Sequence, residues 1–143
     1  MFVSVTRLQL RSLRYLPMFL WYAMASARQA RRSPGFVGGW LGGEGIMGKW
    51  TATVWESADA MRAFRNSGPH LKVMPKLLRW CDESAYTHWE QADATVPSGA
   101  VAYERLAQEG KLSKVLKPSA LHAAGRRVGD KPPKGFRQLH RDR

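Results

Sequence analysis

Cysteine is almost absent from this chain: Cys81 is the single thiol in 143 residues. One thiol excludes an internal disulfide and a zinc site built from cysteines, and its scarcity fits a reducing cytoplasm. Cys81 lies on the apolar side of a predicted helix. We therefore expect a small buried hydrophobic side chain, with a reactive thiol as the alternative.

Acidic residues are also scarce. The chain has 11 of them against 23 lysines and arginines, which gives a net charge of +12. Such a charge can indicate nucleic acid or an anionic membrane as a partner. The basic residues are nevertheless spread along the chain, and no known nucleic-acid-binding motif is present. We expect no specific nucleic-acid partner.

Long hydrophobic runs are missing as well. The apolar run from Tyr15 to Ala27 follows three arginines and ends in Ala25-Ser26-Ala27, as a signal peptide does. The run is too short to span a bilayer, so no membrane span is expected. It is also amphipathic and follows a segment that is typical of a strand, which favours a folded helix over a cleaved signal.

The glycines between residues 42 and 48 do not form a phosphate-binding loop. Neither GK[ST] nor a G-x-G-x-x-G leading into a helix is present. We interpret them as a hairpin turn.

Hydrophobic periodicity predicts an α+β fold in which elements follow the ferredoxin-like order β-α-β-β-α-β. The second helix opens at Ser57, a suitable N-cap, and is interrupted at Ser67-Gly68-Pro69. The helices would cover one face of a four-stranded antiparallel sheet. The other face would stand open in a monomer, which predicts a homodimer. The predicted strands are 2–10, 36–42, 49–56 and 84–90, and the predicted helices are 13–32 and 58–82.

Composition changes after Gln91, so we expect one domain over residues 1–91 and an extension over 92–143. Residues 92–98 are typical of a linker, and a short helix is predicted over 98–108. Residues 111–143 contain few apolar side chains and three prolines, which predicts an arm that lies on the domain or its partner and ends in a disordered basic segment. Such an arm could alternatively contact nucleic acid or a membrane.

The segment TVWESADAMRAFRNSGPH, from Thr53 to His70, resembles the strand-to-helix segment of the antibiotic-biosynthesis-monooxygenase-like superfamily. The resemblance covers roughly residues 1–91 and is nearest to the DUF3291 type. It implies a dimeric α+β barrel. It also implies one of several activities, among them cofactor-free quinone-forming oxygenation and haem degradation, or no catalysis at all.

The haem-degrading members carry a Trp at the place that matches Phe64 and a haem-ligating His at the place that matches Met74. Both residues differ here, so haem degradation by that route is disfavoured. The cofactor is expected to be none or unknown, with haem as a less favoured alternative, and no metal site is expected.

His70 is the candidate catalytic base or ligand, with a structural histidine bonded to the backbone as the alternative. The remaining candidates would line or polarise an apolar cavity between sheet and helices that receives a flat apolar substrate. They are Trp55, Trp80, Arg65, Asn66 and His88. The sequence therefore predicts a monooxygenase-like protein. A non-catalytic ligand-binding or interaction module and a haem-binding protein are the alternatives.

Overall fold

The computed structural model describes residues 1–142, whose backbone forms six strands and five helices. The strands are β1 (Phe2–Leu10), β2 (Phe36–Glu44), β3 (Gly48–Trp55), β4 (Cys81–Glu90), β5 (Lys111–Leu112) and β6 (Lys134–His140). The helices are α1 (Leu16–Arg32), α2 (Ala58–Arg65), α3 (Gly68–Trp80), α4 (Gly99–Glu109) and α5 (Ala120–Ala123), and a 3-10 turn at Leu13–Tyr15 leads into α1. No helix within residues 1–142 is long and apolar enough to cross a membrane.

All strands join one antiparallel sheet in the order β5-β4-β1-β3-β2-β6. The inner four have the ferredoxin-like order, which confirms the predicted α+β class and the β-α-β-β-α-β sequence of elements. The predicted number of four strands is wrong, because β5 and β6 extend the sheet at its two edges. Strand β6 begins after Pro132 and Pro133, and β2 offers it an edge of free backbone groups.

The second predicted helix is two helices, α2 and α3, as the interruption indicated. The Ser57 hydroxyl accepts a hydrogen bond from the Ala60 amide at 3.1 Å, which caps α2. Gly68 then adopts a φ of 57°, a left-handed conformation that favours glycine. Helix α3 ends at Trp80, and the extended Cys81 starts β4 three residues earlier than predicted.

Helices α1, α2 and α3 cover one face of the sheet over two separate apolar clusters. One cluster gathers around Trp55, Phe36 and Met61, and the other gathers around Leu10, Phe19 and Trp80. Cys81 belongs to the second cluster and is fully buried, which confirms the expected role in packing. Burial raises the pKa of this thiol to about 12, so it is protonated at neutral pH.

The opposite face of the sheet is covered by the chain's own extension. Helix α4 packs Ala102 and Leu106 against the inner strands, where Val5, Trp50 and Val54 are buried. Ser98 caps α4 by accepting a hydrogen bond from the Val101 amide at 3.1 Å. The expectation that this face stands open in a monomer is therefore wrong, since the apolar side of α4 fills it. The homodimer that rested on that expectation stays a prediction.

Below α4, the same face contains a buried ionic network around Arg7, which is 1% exposed. The Arg7 guanidinium donates to the Glu44 carboxylate at 2.9 Å and to the Glu83 carboxylate at 2.8 Å. Trp50 donates its indole N–H to Glu44, and the Ser119 hydroxyl donates to Glu83. The network thereby ties β1, β2, β3 and β4 to the C-terminal segment.

The charges of this network support each other. Burial lowers the pKa of Arg7, but the hydrogen bonds and charges of Glu44 and Glu83 outweigh burial and leave the pKa above its usual value. Burial raises the pKa of Glu44, yet hydrogen bonds from Arg7 and Trp50 hold it below its usual range. Gly129 lies directly on the Glu44 carboxylate, where a Cβ atom would overlap it.

Truncating Leu106 tests whether α4 is an integral part of this core. We expect Leu106→Ala to lower the free energy of unfolding by about 2–5 kcal/mol, because the side chain is fully buried against the sheet. Val101→Ala on the outer side of the same helix is the matched control, with an expected change within about 0.5 kcal/mol. Urea unfolding measures both. Similar small losses in the two variants would contradict the packing of α4 on the sheet.

Candidate functional site

The candidate site lies where α2 meets α3, on the helical side of the sheet. Ser67 is the N-cap residue directly before α3, but its hydroxyl makes no capping hydrogen bond to the helix. Instead, Gln29 of α1 reaches across the junction. Its side-chain oxygen accepts from the His70 amide at 3.0 Å, and its Nε2 donates to the Ser67 carbonyl at 2.8 Å. Gln29 thus fixes the start of α3 and the position of His70.

The His70 imidazole is oriented by the last residue of α2. Its Nδ1 lies 3.3 Å from the Arg65 carbonyl oxygen. A carbonyl only accepts, so Nδ1 carries the proton and Nε2 is left with its lone pair. This contact is the backbone bond that we considered as the structural alternative for His70. It also gives the ring the tautomer that a base at Nε2 requires.

Two effects keep His70 neutral. Burial lowers its pKa, and the charge of Arg65 lowers it further, while the hydrogen bond to the Arg65 carbonyl works in the opposite direction. The net pKa is below the usual histidine value. The imidazole is consequently unprotonated at neutral pH and able to accept a proton.

His88 on β4 experiences the same electrostatic field. Burial lowers its pKa, followed by the charges of Arg65, Lys111 and Arg62. Arg65 is thus close enough to both imidazoles to disfavour their cationic forms. Of the predicted site residues, the structure joins His70 and Arg65 at the α2–α3 junction, whereas His88 lies on β4 of the sheet.

A row of aromatic rings connects the two histidines. The ring centroids of His70 and Phe64 are 4.7 Å apart, and those of Phe64 and Trp55 are 5.0 Å apart. Phe2 pairs with Trp55 across the β1–β3 ladder, and its ring centroid lies 5.1 Å from that of His88. The row is a largely buried apolar cluster with one imidazole at each end.

Two open clefts of about 480 and 380 Å³ flank α2 and reach this row from different sides. Phe2 lines the larger cleft, and Phe64 lines the smaller one, with Glu56 shared by both. Their volumes fall within the range of small-molecule sites. Neither cleft is lined by His70 or His88.

Two further predicted residues stand apart from this row. Trp80 packs near Tyr15 and Tyr22 in the other apolar cluster under the helices. Asn66 is the exposed C-cap of α2, and its side-chain oxygen lies 3.5 Å from Nε of Arg65. Trp55 is fully buried and donates its indole N–H to Thr53 at 2.9 Å, so it forms the floor of the row.

Gln29 and Phe2 are the site residues that sequence analysis missed. Gln29 is separated from Ser67 by 38 positions, and nothing in its local sequence marks it as a cap. Phe2 was assigned only to a strand. Among residues 1–142 there is no group of His, Cys, Asp and Glu side chains that could hold a metal ion.

The lowered histidine pKa values predict how stability depends on pH. The unfolded chain binds protons near pH 6.5, whereas folded His70 and His88 bind them only at lower pH. Stability should therefore fall as the pH drops below about 6.5, by at most about 1.4 kcal/mol per pH unit for each histidine. Urea unfolding at pH 7.5 and 5.5 measures this loss.

The contribution of His70 is isolated with His70→Asn, whose amide keeps a donor for the Arg65 carbonyl but does not titrate in this range. The loss on acidification should be smaller in His70→Asn than in the parent chain, and unchanged in the exposed control His140→Asn. An identical loss in all three chains would show that the pKa of His70 does not change on folding.

Comparisons with known proteins identify the fold. No protein-family model matches the chain, and no curated protein matches its sequence. Among solved structures, SnoaB from Streptomyces nogalater, a cofactor-independent oxygenase, matches with 20% identity and a TM-score of 0.52 over 68% of this chain and 97% of its own.

A protein from Nitrosomonas europaea assigned as an antibiotic biosynthesis monooxygenase matches with 11% identity and a TM-score of 0.53, over 65% of this chain and 100% of its own. A third structure, from Pseudomonas aeruginosa, has 8% identity and a TM-score of 0.54, over 64% of this chain and 94% of its own. About a third of this chain thus lies outside each match. The chain has the α+β fold of antibiotic biosynthesis monooxygenase proteins.

Proposed function

We propose that this protein is a monooxygenase-like enzyme that binds a flat, weakly acidic aromatic molecule at the α2–α3 junction, with His70 as the general base. The observation that carries the proposal is the His70 imidazole, which is neutral, has its proton on Nδ1 and adjoins both Arg65 and the aromatic row. The shared fold with a cofactor-independent oxygenase supports it.

The chemistry follows from these groups. Nε2 of His70 takes a proton from an acidic C–H or O–H group of the substrate, and the resulting anion is stabilised by the positive charge of Arg65. The electron-rich anion reduces molecular oxygen directly. At a methylene carbon, one oxygen atom becomes a carbonyl and the other leaves as water with the two hydrogens. Phe64 and Phe2, which line the two clefts, would supply apolar contacts for the ring system.

The other candidates have supporting roles in this proposal. His88 would hold an oxygen atom at the far end of the substrate through its neutral ring. Trp55 would form the floor beneath the ring system. Asn66, which adjoins Nε of Arg65, would steer the guanidinium.

A non-catalytic ligand-binding module is the second candidate function. It is favoured by the bond from His70 to the backbone and by the close packing of Phe64 on both Trp55 and His70. In such a protein the imidazole would be structural, and ligand binding would proceed without turnover.

The assembly, family placement and location remain proposals as well. We infer a homodimer from the dimeric barrel that the resemblance implies. Because α4 covers the sheet face opposite the helices, the dimer interface would have to lie elsewhere or α4 would have to move.

We also infer placement near the DUF3291 type from the Thr53–His70 segment, and a cytoplasmic location from the single cysteine.

Oxygen uptake tests the proposed enzyme. With a tricyclic phenol that carries an acidic methylene group, we expect oxygen consumption together with the absorbance of the quinone product. His70→Ala should lower the rate by about 10²–10⁴, the usual contribution of a general base. His140→Ala replaces an exposed histidine on β6 and should leave the rate unchanged. Saturable quenching of tryptophan fluorescence without oxygen uptake would replace the enzyme by the binding module.

Haem fits this chain less well, since Phe64 and Met74 stand at the places of the Trp and the haem-ligating His of the haem-degrading members. Met74 is also 38% exposed, so the position that matches the haem-ligating His holds no buried side chain that could bind the iron. We expect haemin titration to give no sharp, shifted Soret band. A band that His70→Ala abolishes would make haem binding the leading function.

A further inference from the structure

The solvent-facing sides of α1 and α3 form one continuous surface, which we call the outer helical surface. The two helices lie side by side. Tyr22 of α1 contacts Trp80 of α3 with ring centroids 6.2 Å apart, and Gln29 bonds to Ser67 at the other end of the pair. The surface is independent of the α2–α3 site and of the function proposed for it.

Large apolar side chains project from α1 at this surface. Trp21 is 62% exposed, and Met18 and Met24 lie three positions before and after it, so all three share one side of the helix. Trp21 packs edge-on against Tyr22 and is otherwise open to solvent. Leu20 on α1 and Leu71 on α3 are exposed as well. Such a cluster of large side chains marks an interaction site rather than ordinary surface.

Cations surround this apolar area, and carboxylates are absent from both helices. The first 43 residues contain no Asp or Glu, and neither does α3. Arg28 lies on the same side of α1 as Trp21, and α3 contributes exposed cations at Lys72, Lys76 and Arg79. Arg31 and Arg32 share the single Asp142 carboxylate, so one positive charge of that pair remains and adds to those of Arg28 and α3.

We propose that the outer helical surface docks on an anionic lipid membrane. Exposed Trp, Met and Leu side chains surrounded by Lys and Arg are the pattern of an interfacial helix, which buries its apolar side at the headgroup boundary while its cations contact anionic lipids. A second copy of the chain is a poor occupant of this surface, because a two-fold contact would bring uncompensated cations together. Nucleic acid would use the cations but would leave Met18, Leu20 and Met24 exposed to water.

Cosedimentation of the full chain with vesicles tests the proposal. We compare vesicles of phosphatidylcholine with vesicles that contain one third phosphatidylserine, at a fixed ionic strength near 0.1 M. We expect binding to the anionic vesicles and at least tenfold weaker binding to the neutral ones.

Two variants separate the apolar and the electrostatic contributions. Trp21→Ala should weaken binding to the anionic vesicles at least tenfold. The pair Lys72→Gln and Lys76→Gln should weaken it roughly 25-fold, since each cation near an anionic leaflet contributes about fivefold.

A control carries one apolar and one basic change of the same kind away from this surface. Val101 lies on α4, which covers the opposite face of the sheet, and Lys131 follows the segment that packs on Glu44. Val101→Ala with Lys131→Gln should bind the anionic vesicles as the parent chain does. All these side chains are exposed, and thermal unfolding confirms that each variant is folded.

Several results would overturn the proposal. They are absence of binding to the anionic vesicles, equal affinity for both vesicle types, and equal weakening by the control and by the surface variants. A fourth is binding to a duplex DNA of random sequence that is tighter than binding to the anionic vesicles in the same buffer. If Lys72→Gln and Lys76→Gln weakened this DNA binding and Trp21→Ala did not, the surface would be assigned to nucleic acid.

Discussion

The arrangement of this chain depends most on the buried ion pairs between the Arg7 guanidinium and the carboxylates of Glu44 and Glu83. A buried cation is tolerated only when its partners and their remaining hydrogen-bonding groups are also satisfied. Arg7 meets this condition through Glu44 and Glu83, which are 37 and 76 residues away in sequence, and through the groups that Trp50 and Ser119 offer to those carboxylates. The network consequently requires the extension to lie over the sheet, and Gly129 shows how closely it does so.

Covering this face with α4 separates the two sides of the sheet by role. The α4 side is a filled core that holds the extension in place. The helical side contains two apolar clusters, the aromatic row and the α2–α3 junction with His70. His70 lies on the helical side, where Gln29 and the Arg65 carbonyl fix its geometry.

Sequence analysis succeeded where short-range rules decide the outcome. Ser57 and Ser98 cap helices as their local sequences indicate, and the change from strand to helix at residue 57 is in place. It missed β6 and expected an open sheet face, because few apolar residues and three prolines suggested an arm with a disordered basic end. An edge strand needs only a partner backbone and a stretch free of proline, and both become visible once β2 is placed at the edge.

At the candidate site, too, some features follow from the sequence and others only from the tertiary structure. Residue type singled out His70, His88 and Arg65 as candidates, and two of them, His70 and Arg65, lie in the Thr53–His70 segment. The sequence did not indicate which nitrogen of His70 carries the proton, that Gln29 holds this junction, or that Trp80 lies in the other apolar cluster. These features depend on contacts between segments that are distant in sequence. The sequence by itself determined the order and type of the elements up to α4, because caps, turns and periodicity act between near neighbours. Only the tertiary structure decided which face is covered, which charges pair and which rings meet, because burial outweighs local preference once distant segments compete for the same surface.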